Sequence, residues 1–198
     1  MKGHRLFAAL WDRFGGQFAD VRAGLLSGAT GRVLEIGAGP GLSLPFYTDG
    51  VVSVDATEPD PYMLRRARRR LRLSSRPIQL VQARAEHLPY RDATFDVVVS
   101  TLVLCTVADL AATLSEVRRV LKPSGRLLFF EHVRYGNPLG GLAQDAVTPL
   151  WSWFGAGCHP NRDSVKAMQG AGFQVQRLEV VRTLLPPGPE IKGIAVPM

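Results

Sequence analysis

Residues 33–41, which read Val-Leu-Glu-Ile-Gly-Ala-Gly-Pro-Gly, are the stretch that decides the fold of this chain. The apolar run 33–36 predicts a short buried strand. Gly37, Gly39 and Gly41 follow that strand directly. Glycine permits a tight turn and lets a ligand approach the backbone closely. In open α/β sheets, ligands bind beyond the carboxyl ends of the strands, so the stretch predicts a ligand-binding turn at such an edge.

Outward from this turn, strand-like and helix-like segments alternate. Further strands are predicted at 51–57, 78–82, 95–100, 126–133, 173–180 and 191–196, which makes seven with the first. Helices are predicted after three cap residues, Asp60 (with Pro61 at the first position), Asp109 and Asn161. Residues 5–26 are also expected to be helical, with a break at Gly15-Gly16. The alternation predicts an α/β fold, a Rossmann-like, mostly parallel sheet of seven strands with helices on both faces.

Composition indicates one soluble globular domain. The chain has 198 residues, of which 46% are hydrophobic and 21% charged. Its net charge of +7 is concentrated in a cluster of arginines at 65–72, which suits either a solvated helix face or a basic patch for a membrane or nucleic acid. The apolar run from Leu6 stops at Asp12, which is too short for a signal peptide, so a cytoplasmic location is expected.

The two cysteines, Cys105 and Cys158, lie far apart and form no metal-binding spacing. No metal is therefore expected, and the composition favours a reducing compartment. Cys105 is expected in the core, and Cys158 is expected to be a packed side chain or a residue of the substrate site.

The spacing of the glycines distinguishes between kinds of nucleotide site. A phosphate-binding loop would need GxxxxGK[ST], which is absent. A dinucleotide site would need Gly or Ala at position 42, where the chain has Leu42. With Glu35 before the turn, VLEIGAGPG resembles the first motif of the class I S-adenosylmethionine-dependent methyltransferases. The resemblance implies that Gly37, Ala38, Gly39 and Gly41 form the loop beside the methionine part of the cofactor, and that Glu35 anchors this loop or reaches the ammonium group through water.

The same resemblance assigns the remaining cofactor contacts. Glu58, followed by Pro59, would accept hydrogen bonds from the ribose hydroxyls, with Asp55 as the alternative acid. Residues 83–96 are similar to the family's next motif, except that Arg84 replaces the acid that reads adenine. The adenine contact is therefore expected only at Ala85 and Glu86. Thr101 and Leu102 are expected to face the cofactor, and Asp96 is expected to serve the architecture.

A narrower resemblance extends beyond the cofactor half. The segments 101–107 (TLVLCTV), 129–133 (FFEHV), 148–151 (TPLW) and 157–173 (GCHPNRDSVKAMQGAGF) are similar to bacterial relatives of the alkyl thiol S-methyltransferases. The chain is thus expected to be a single methyltransferase domain, 1–198. It would comprise an N-terminal helical lid at 1–30, a cofactor-binding half at 31–133 and an acceptor-side half at 134–198.

The catalytic candidates lie in the second half of the chain. His132 follows the fifth predicted strand and is the first candidate for a base or orienting residue, with Glu131 as its orienter or as a pocket residue; His159 is the second. The aromatic segment 136–160, together with Trp11 and Phe14, is expected either to cover an apolar acceptor or to pack in the core.

These features predict transfer of a methyl group from S-adenosylmethionine, leaving S-adenosylhomocysteine, to a small hydrophobic thiol, amine or hydroxyl. The alternatives are a lipid or quinone precursor at a membrane surface, RNA, or a cofactor-binding regulator without catalysis. RNA is disfavoured because no added RNA-binding domain and no (D/N)PP(Y/F) motif is present, so no nucleic-acid partner is expected. The sequence leaves the oligomeric state open.

Overall fold

A computed structural model describes residues 5–181 and 188–198. The strands of this part of the chain are β1 (Gly31–Ile36), β2 (Val51–Thr57), β3 (Ile78–Val81), β4 (Phe95–Thr101), β5 (Leu121–His132), β6 (Phe173–Val181) and β7 (Glu190–Pro197). Its α-helices are α1 (Arg5–Phe14), α2 (Ala19–Leu26), α3 (Pro61–Arg70), α4 (Leu110–Val120), α5 (Pro138–Phe154) and α6 (Ser164–Gly170).

The strands form one seven-stranded sheet in the order β3-β2-β1-β4-β5-β7-β6. β1 to β5 pair in parallel, whereas β7 runs antiparallel to both β5 and β6. The expected mostly parallel sheet is confirmed. The direction of winding reverses between β1 and β4, which is where a ligand crevice opens in sheets of this type.

Apolar clusters cover both faces of the sheet, since alternate side chains of each strand point to opposite sides. On one face, Leu34 and Val98 belong to a core that includes side chains of α4 and α6. On the other face, Val33 and Val97 pack in a core with side chains of α2 and α3. These residues are almost fully buried. The helices therefore lie on both faces, as the alternating pattern predicts.

Side-chain caps set the starts of the helices. The carboxylate of Asp60 accepts hydrogen bonds from the backbone of Tyr62 and Met63, and Asp109 accepts one from Ala112. The predicted cap at Asn161 is wrong, because Asp163 caps α6 and accepts from the N–H of Lys166 at 3.0 Å. Asn161 instead donates to Asp145 in α5. Local sequence did not separate the two residues because Asn and Asp both cap well.

Asp96 has the architectural role that the sequence predicts. Its carboxylate accepts from the backbone N–H of Arg32 and from Lys122, at 2.8 and 2.7 Å. These bonds join the start of β4 to the start of β1 and to β5.

The N-terminal segment folds as expected, with a 3₁₀ turn at Gly15–Phe18 between α1 and α2. Asp12 in α1 pairs with Arg66 and Arg70 of α3. Two members of the arginine cluster therefore hold the N-terminal helix, while Arg68 and Arg69 are exposed. No helix within the described residues is long and apolar enough to cross a bilayer.

Candidate functional site

A cavity of about 710 Å³ opens at the carboxyl ends of four adjacent strands. Gly37 follows β1, Glu58 follows β2, Thr101 ends β4 and His132 ends β5, and all four residues line the cavity. One end is bordered by the glycine turn and the other by the loop after α5. The sheet thus carries the candidate site at the edge where the sequence predicts it.

The glycine turn presents bare backbone to this cavity at one position. Gly37, Gly39 and Gly41 have φ angles of +58°, +56° and +81°, a region that side chains disfavour. A Cβ at Gly37 would meet Val103 at 2.6 Å, and one at Gly41 would meet Leu44 at 2.8 Å. A Cβ at Gly39 would meet nothing within 4 Å. Gly39 is therefore the place where a ligand can approach the main chain.

Glu58 joins the turn after β1 to the end of β2. Its Oε2 accepts from the N–H of Gly39 and its Oε1 from the N–H of Asp60, both at 2.8 Å. Burial raises the pKa of Glu58 to about 7, against these hydrogen bonds and with help from the charges of Asp60 and Glu35. Each carboxylate oxygen keeps a second lone pair for a hydroxyl. Asp55, the alternative acid, lies inside β2 and does not line the cavity.

Glu35 lies beneath the loop and does not line the cavity. It is fully buried, and its Oε2 accepts from the hydroxyl of Tyr47 at 2.9 Å. Burial raises the pKa of Glu35 to about 7, while hydrogen bonds from Ser43 and Tyr47 and the charge of Arg22 lower it. This placement suits the anchoring role; a water-mediated reach to the cofactor stays a prediction.

Arg84 and Glu86 form a surface pair at the expected adenine end. The guanidinium of Arg84 donates to both carboxylate oxygens of Glu86 at 3.1 and 3.2 Å. Glu86 also accepts from the N–H of Ala108. Arg84, Ala85 and Glu86 all line the cavity. The acid that reads adenine in the family is thus replaced by a cation that binds its own neighbour.

Glu131 holds the loop after β4 in place. Its Oε1 accepts from the hydroxyl of Ser100 and from the N–H groups of Val103 and Leu104, and its Oε2 accepts from the N–H of Cys105. The residue is fully buried. The two roles expected for Glu131, orienting His132 or facing the pocket, are both wrong, because its oxygens are used by this loop.

Leu102 is the first residue of that loop and has φ of +60°, an uncommon conformation for leucine. Its N–H donates to the carbonyl of Phe130 at 2.7 Å. Strained backbone of this kind concentrates at functional sites. Thr101 and Leu102 both line the cavity, where the resemblance places them.

His132 lies between two thiols and a carboxylate. Its Nδ1 is 3.6 Å from the Sγ of Cys105 and 3.6 Å from the Sγ of Cys158, and its Nε2 is 3.4 Å from Glu190. Burial lowers the pKa of His132, but hydrogen bonds with Cys105 and Glu190 outweigh it and raise the value to about 10. These contacts favour an orienting role for His132 over that of a base.

The two thiols share a contact of 3.6 Å and line the cavity with His132. Their hydrogen bond raises the pKa of Cys105 and lowers that of Cys158. Both are free and buried. Cys105 is thus a core residue as expected, but it also borders the site.

His159 has the geometry of a base. Its Nδ1 is 2.7 Å from the carbonyl oxygen of Gly157. A carbonyl can only accept, so Nδ1 carries the proton and Nε2 carries the lone pair in the neutral ring. No described residue hydrogen-bonds to this Nε2, and His159 lines the cavity.

Aromatic side chains line part of the acceptor end. Trp11, Trp151 and Phe154 line the cavity. Trp153 does not line it; this side chain is 75% exposed and packs edge-on against Phe154. The aromatic segment 136–160 therefore covers the cavity only in part, without Trp153. The side chain of Phe14 lies outside the described part of the structure.

The residues present fit S-adenosylmethionine. Gly39 leaves room against the backbone, Glu58 supplies an acid for two hydroxyls, and Ala85 with Leu102 supplies apolar wall. Of the predicted cofactor residues, the following line the cavity: Gly37, Gly39, Glu58, Pro59, Ala85, Glu86, Thr101 and Leu102. Glu35, Ala38 and Gly41 do not line the cavity: Ala38 and Gly41 belong to the turn itself, and Glu35 lies beneath it.

Sequence reasoning missed the grouping of Cys105, His132 and Cys158, with Glu190 behind them. One signal was available, since Cys105 and His132 both come just after or at predicted strand ends. Glu190 gave none, because its position depends on the antiparallel pairing of β7 with β5.

Comparisons with known proteins show the family to which the chain belongs. Residues 34–129 match the methyltransferase domain family. The chain is 38% identical to human thiol S-methyltransferase TMT1B and 32% identical to human TMT1A, in each case with 86% of this chain and 73% of the relative covered. It is 33% identical to the ubiquinone/menaquinone biosynthesis C-methyltransferase UbiE of Ectopseudomonas mendocina, with 83% and 71% covered.

Solved structures share the fold. A SAM-dependent methyltransferase from Methanosarcina mazei superimposes with a TM-score of 0.67 at 22% identity, covering 84% of this chain and 92% of that one. The [4+2]-cyclase SpnF superimposes with a TM-score of 0.66 at 23% identity, covering 86% and 61%. At these identities the likeness establishes the architecture alone.

Proposed function

Since this chain belongs to the class I S-adenosylmethionine-dependent methyltransferases that act on small molecules, we propose that its acceptor is a small hydrophobic thiol. The observation that carries this proposal is the lining of the acceptor end of the cavity. Aromatic rings and two thiols border it, and the Nε2 atom of His159 can serve there as a base. Trp151, Phe154 and the two cysteines border it, with His159 beside them. The relatives named for thiol S-methylation support the same acceptor class.

The protein's main contribution is positioning. When bound, S-adenosylmethionine supplies a methyl group that is already activated on a sulfonium. Gly39 and Glu58 would hold the cofactor at the β1–β2 end, and Leu102 would separate it from the acceptor end. Holding two reactants in line can be worth roughly 7–11 kcal/mol of the barrier.

A thiol is acidic enough to be deprotonated by the bases that line the cavity. A thiol has a pKa of about 8.5, so a useful fraction is thiolate near neutral pH and an imidazole can accept the remaining proton. The carboxylates that line the cavity are Glu58, Asp60 and Glu86, and each is already used. Glu58 holds the glycine turn, Asp60 caps α3 and Glu86 binds Arg84. A hydroxyl acceptor would need a stronger base than these groups provide.

The test is a comparison of matched acceptors. Purified protein receives methyl-labelled cofactor with hexanethiol, hexanol or hexylamine, and labelled product is counted. The thiol should be methylated at least about tenfold faster than the alcohol or the amine. Faster methylation of the alcohol or amine, or labelling only of a quinone precursor added in parallel, would contradict the thiol proposal.

A second candidate acceptor is an apolar lipid or quinone precursor at a membrane surface, and one exposed stripe of α5 favours it. Six large apolar side chains of this helix are 52% to 82% exposed, namely Leu139, Leu142, Val147, Leu150, Trp153 and Phe154. Phe154 also lines the cavity, so the stripe reaches the mouth of the site. Such a face can lie in the interface of a bilayer.

Vesicle sedimentation distinguishes membrane binding through the apolar stripe of α5 from membrane binding through the arginine cluster. Binding through the uncharged stripe should persist on neutral phosphatidylcholine vesicles in high salt and be lost on the double replacement Leu150→Ser with Trp153→Ser. Binding that occurs only on anionic vesicles and disappears in high salt would assign it to the arginines of α3 instead. The replacement Arg68→Ser with Arg69→Ser is the matched control.

A further inference from the structure

We propose that Cys105, His132 and Cys158 form a three-ligand site for a divalent cation of the zinc class, with its fourth coordination position facing the cavity. The three side chains come from the loop after β4, the end of β5 and the turn after α5. All are buried, and all line the cavity.

The spacing of the ligand atoms carries the proposal. Each of the three separations, sulfur to sulfur and each sulfur to Nδ1, is 3.6 Å. A tetrahedral zinc ion with its usual bond lengths places two sulfurs about 3.8 Å apart and a sulfur and a nitrogen about 3.6 Å apart. The triangle therefore accepts the ion with shifts of tenths of an ångström. Thiolate and imidazole ligands together select zinc over magnesium or calcium.

The surroundings of His132 supply a second, independent observation. A metal-ligating histidine usually directs its other ring nitrogen at a carboxylate, which fixes the ring. Here Nδ1 faces the two sulfurs while Nε2 faces the buried carboxylate of Glu190 at 3.4 Å. β7 lies beside β5 with Glu190 in register with His132, so the sheet itself positions this carboxylate.

The cysteines are also held by their backbones. The N–H of Cys105 donates to Glu131, and its carbonyl accepts from the N–H of His159 at 2.6 Å. Cys158 follows a tight turn in which Ala156 and Gly157 have φ angles of +50° and +91°. Three ligands fixed in this way pay little ordering cost when an ion binds.

Binding would follow a simple proton balance. Two thiols lose their protons to solvent, as does Nδ1 where it is protonated, and the two thiolates then neutralise the ion's charge. Three protein ligands leave one open position, which is the arrangement of catalytic rather than structural zinc. The proposal differs from the expectation of no metal, which followed from sequence spacing alone.

The use of the ion rests on the proposed function. An acceptor thiol in the fourth position would lose its proton, with His159 as the nearby base, and be held as thiolate. Its sulfur would take the methyl group as the sulfonium S–C bond breaks, with S-adenosylhomocysteine as the leaving group. The neutral thioether product would be a weaker ligand for the ion than the thiolate.

Cobalt titration tests the site without any assay of activity. Full-length protein is reduced, stripped with a chelator and titrated with Co²⁺, and the thiolate-to-cobalt charge-transfer band is recorded. The chain has only two cysteines, so a two-sulfur band identifies Cys105 and Cys158. One equivalent of Co²⁺ should bind with tetrahedral d–d bands, and Zn²⁺ should displace it.

Variants locate the ligands. Cys158→Ser, Cys105→Ser and His132→Gln should each abolish the band or weaken Co²⁺ binding, and Glu190→Gln should weaken it by about 10–100-fold. His87→Gln, at an exposed histidine, should bind Co²⁺ like the unaltered protein. Binding of S-adenosylhomocysteine by each variant shows that the variant is folded. Cys158→Ala, which leaves no oxygen in place of the sulfur, should lose the band as Cys158→Ser does.

Two results would overturn the site: a reduced protein that gives no charge-transfer band, or a band that survives in both cysteine variants. A thiol turned over equally well by stripped and zinc-loaded protein would keep the proposed function and remove the ion's role. A protein that binds Co²⁺ at these ligands but methylates no thiol would keep the site and reject the thiol acceptor.

Discussion

The Oε2 atom of Glu58 lies 2.8 Å from the backbone nitrogen of Gly39, so the acid after β2 and the glycine turn after β1 form one hydrogen-bonded unit. The same carboxylate accepts from Asp60 at the start of α3. A single buried side chain thus links the three segments that border the cofactor end of the cavity.

Replacement of Glu58 by alanine should weaken binding of S-adenosylhomocysteine by roughly 1–3 kcal/mol, the cost typical of losing a charged hydrogen-bond partner. Isothermal titration calorimetry measures this change. The matched control is Asp55→Asn, in the interior of β2, which should leave the affinity unchanged. A loss in the Asp55 variant alone would transfer the ribose role to that residue.

Cofactor affinity should increase with pH through about 7. Burial raises the pKa of Glu58 to about 7, so the carboxylate that accepts from hydroxyls is fully charged only above that value. Below it, the dissociation constant should rise by up to about tenfold per pH unit, since the proton must leave before the hydroxyl binds. Glu58→Gln should flatten this dependence. A dissociation constant that rises with pH between 6 and 8 would contradict the predicted increase of cofactor affinity with pH.

The replacements Gly39→Ala and Gly41→Ala should show which of these two glycines contacts the cofactor and which is required for packing. Both positions have positive φ, which costs a side chain roughly 1–2 kcal/mol. At Gly41 the new methyl would also meet Leu44 and the backbone of Ala67, which adds about 1–3 kcal/mol of overpacking. Gly41→Ala should therefore lower Tm more, while Gly39→Ala should weaken cofactor binding more. Equal effects on both measurements would mean that Gly39 does not face the cofactor.

His159→Gln should lower kcat with a thiol acceptor by roughly 10²-fold or more, the usual contribution of a positioned base. Binding of S-adenosylhomocysteine should be unchanged, because His159 lies at the acceptor end. Turnover across a series of thiols of falling pKa checks the role, since an acidic thiol needs less help. A loss that is equal for all thiols would favour a positioning role.

Glu131→Ala should lower the free energy of unfolding by at least about 3 kcal/mol. The change leaves the buried N–H groups of Val103, Leu104 and Cys105 without their acceptor, and each orphaned donor costs about 1–3 kcal/mol. Urea denaturation measures it. Glu179→Gln, at a half-exposed surface carboxylate paired with Arg177 and Lys192, should change stability by less than about 1 kcal/mol.

Sequence reasoning predicted residues that line the β1–β2 end of the cavity because their signals are local. The glycine turn follows a buried strand, Glu58 ends the next strand, and Asp60 with Pro61 starts a helix, all within a few residues of one another. Backbone conformation, capping and strand burial depend on neighbours in the chain, so these features were readable before any tertiary contact was known. The adenine end was harder to read, since Arg84 replaces the expected acid.

The acceptor half depended on tertiary structure. Cys105 and His132 are 27 residues apart and Cys105 and Cys158 are 53 residues apart, yet their ligand atoms meet at 3.6 Å. The parallel pairing of β4 with β5 brings Cys105 to His132, and the antiparallel pairing of β7 with β5 adds Glu190. The turn with Cys158 comes from after α5 and is joined to them by the bond from the N–H of His159 to the carbonyl of Cys105. Likewise, the exposure of Trp153 follows from which face of α5 is buried, the face that carries Gly141, Gln144 and Thr148. The sequence by itself determined the cofactor turn and its acid through local conformational preference; the grouping of thiols, imidazole and carboxylate was decided by which strands became neighbours.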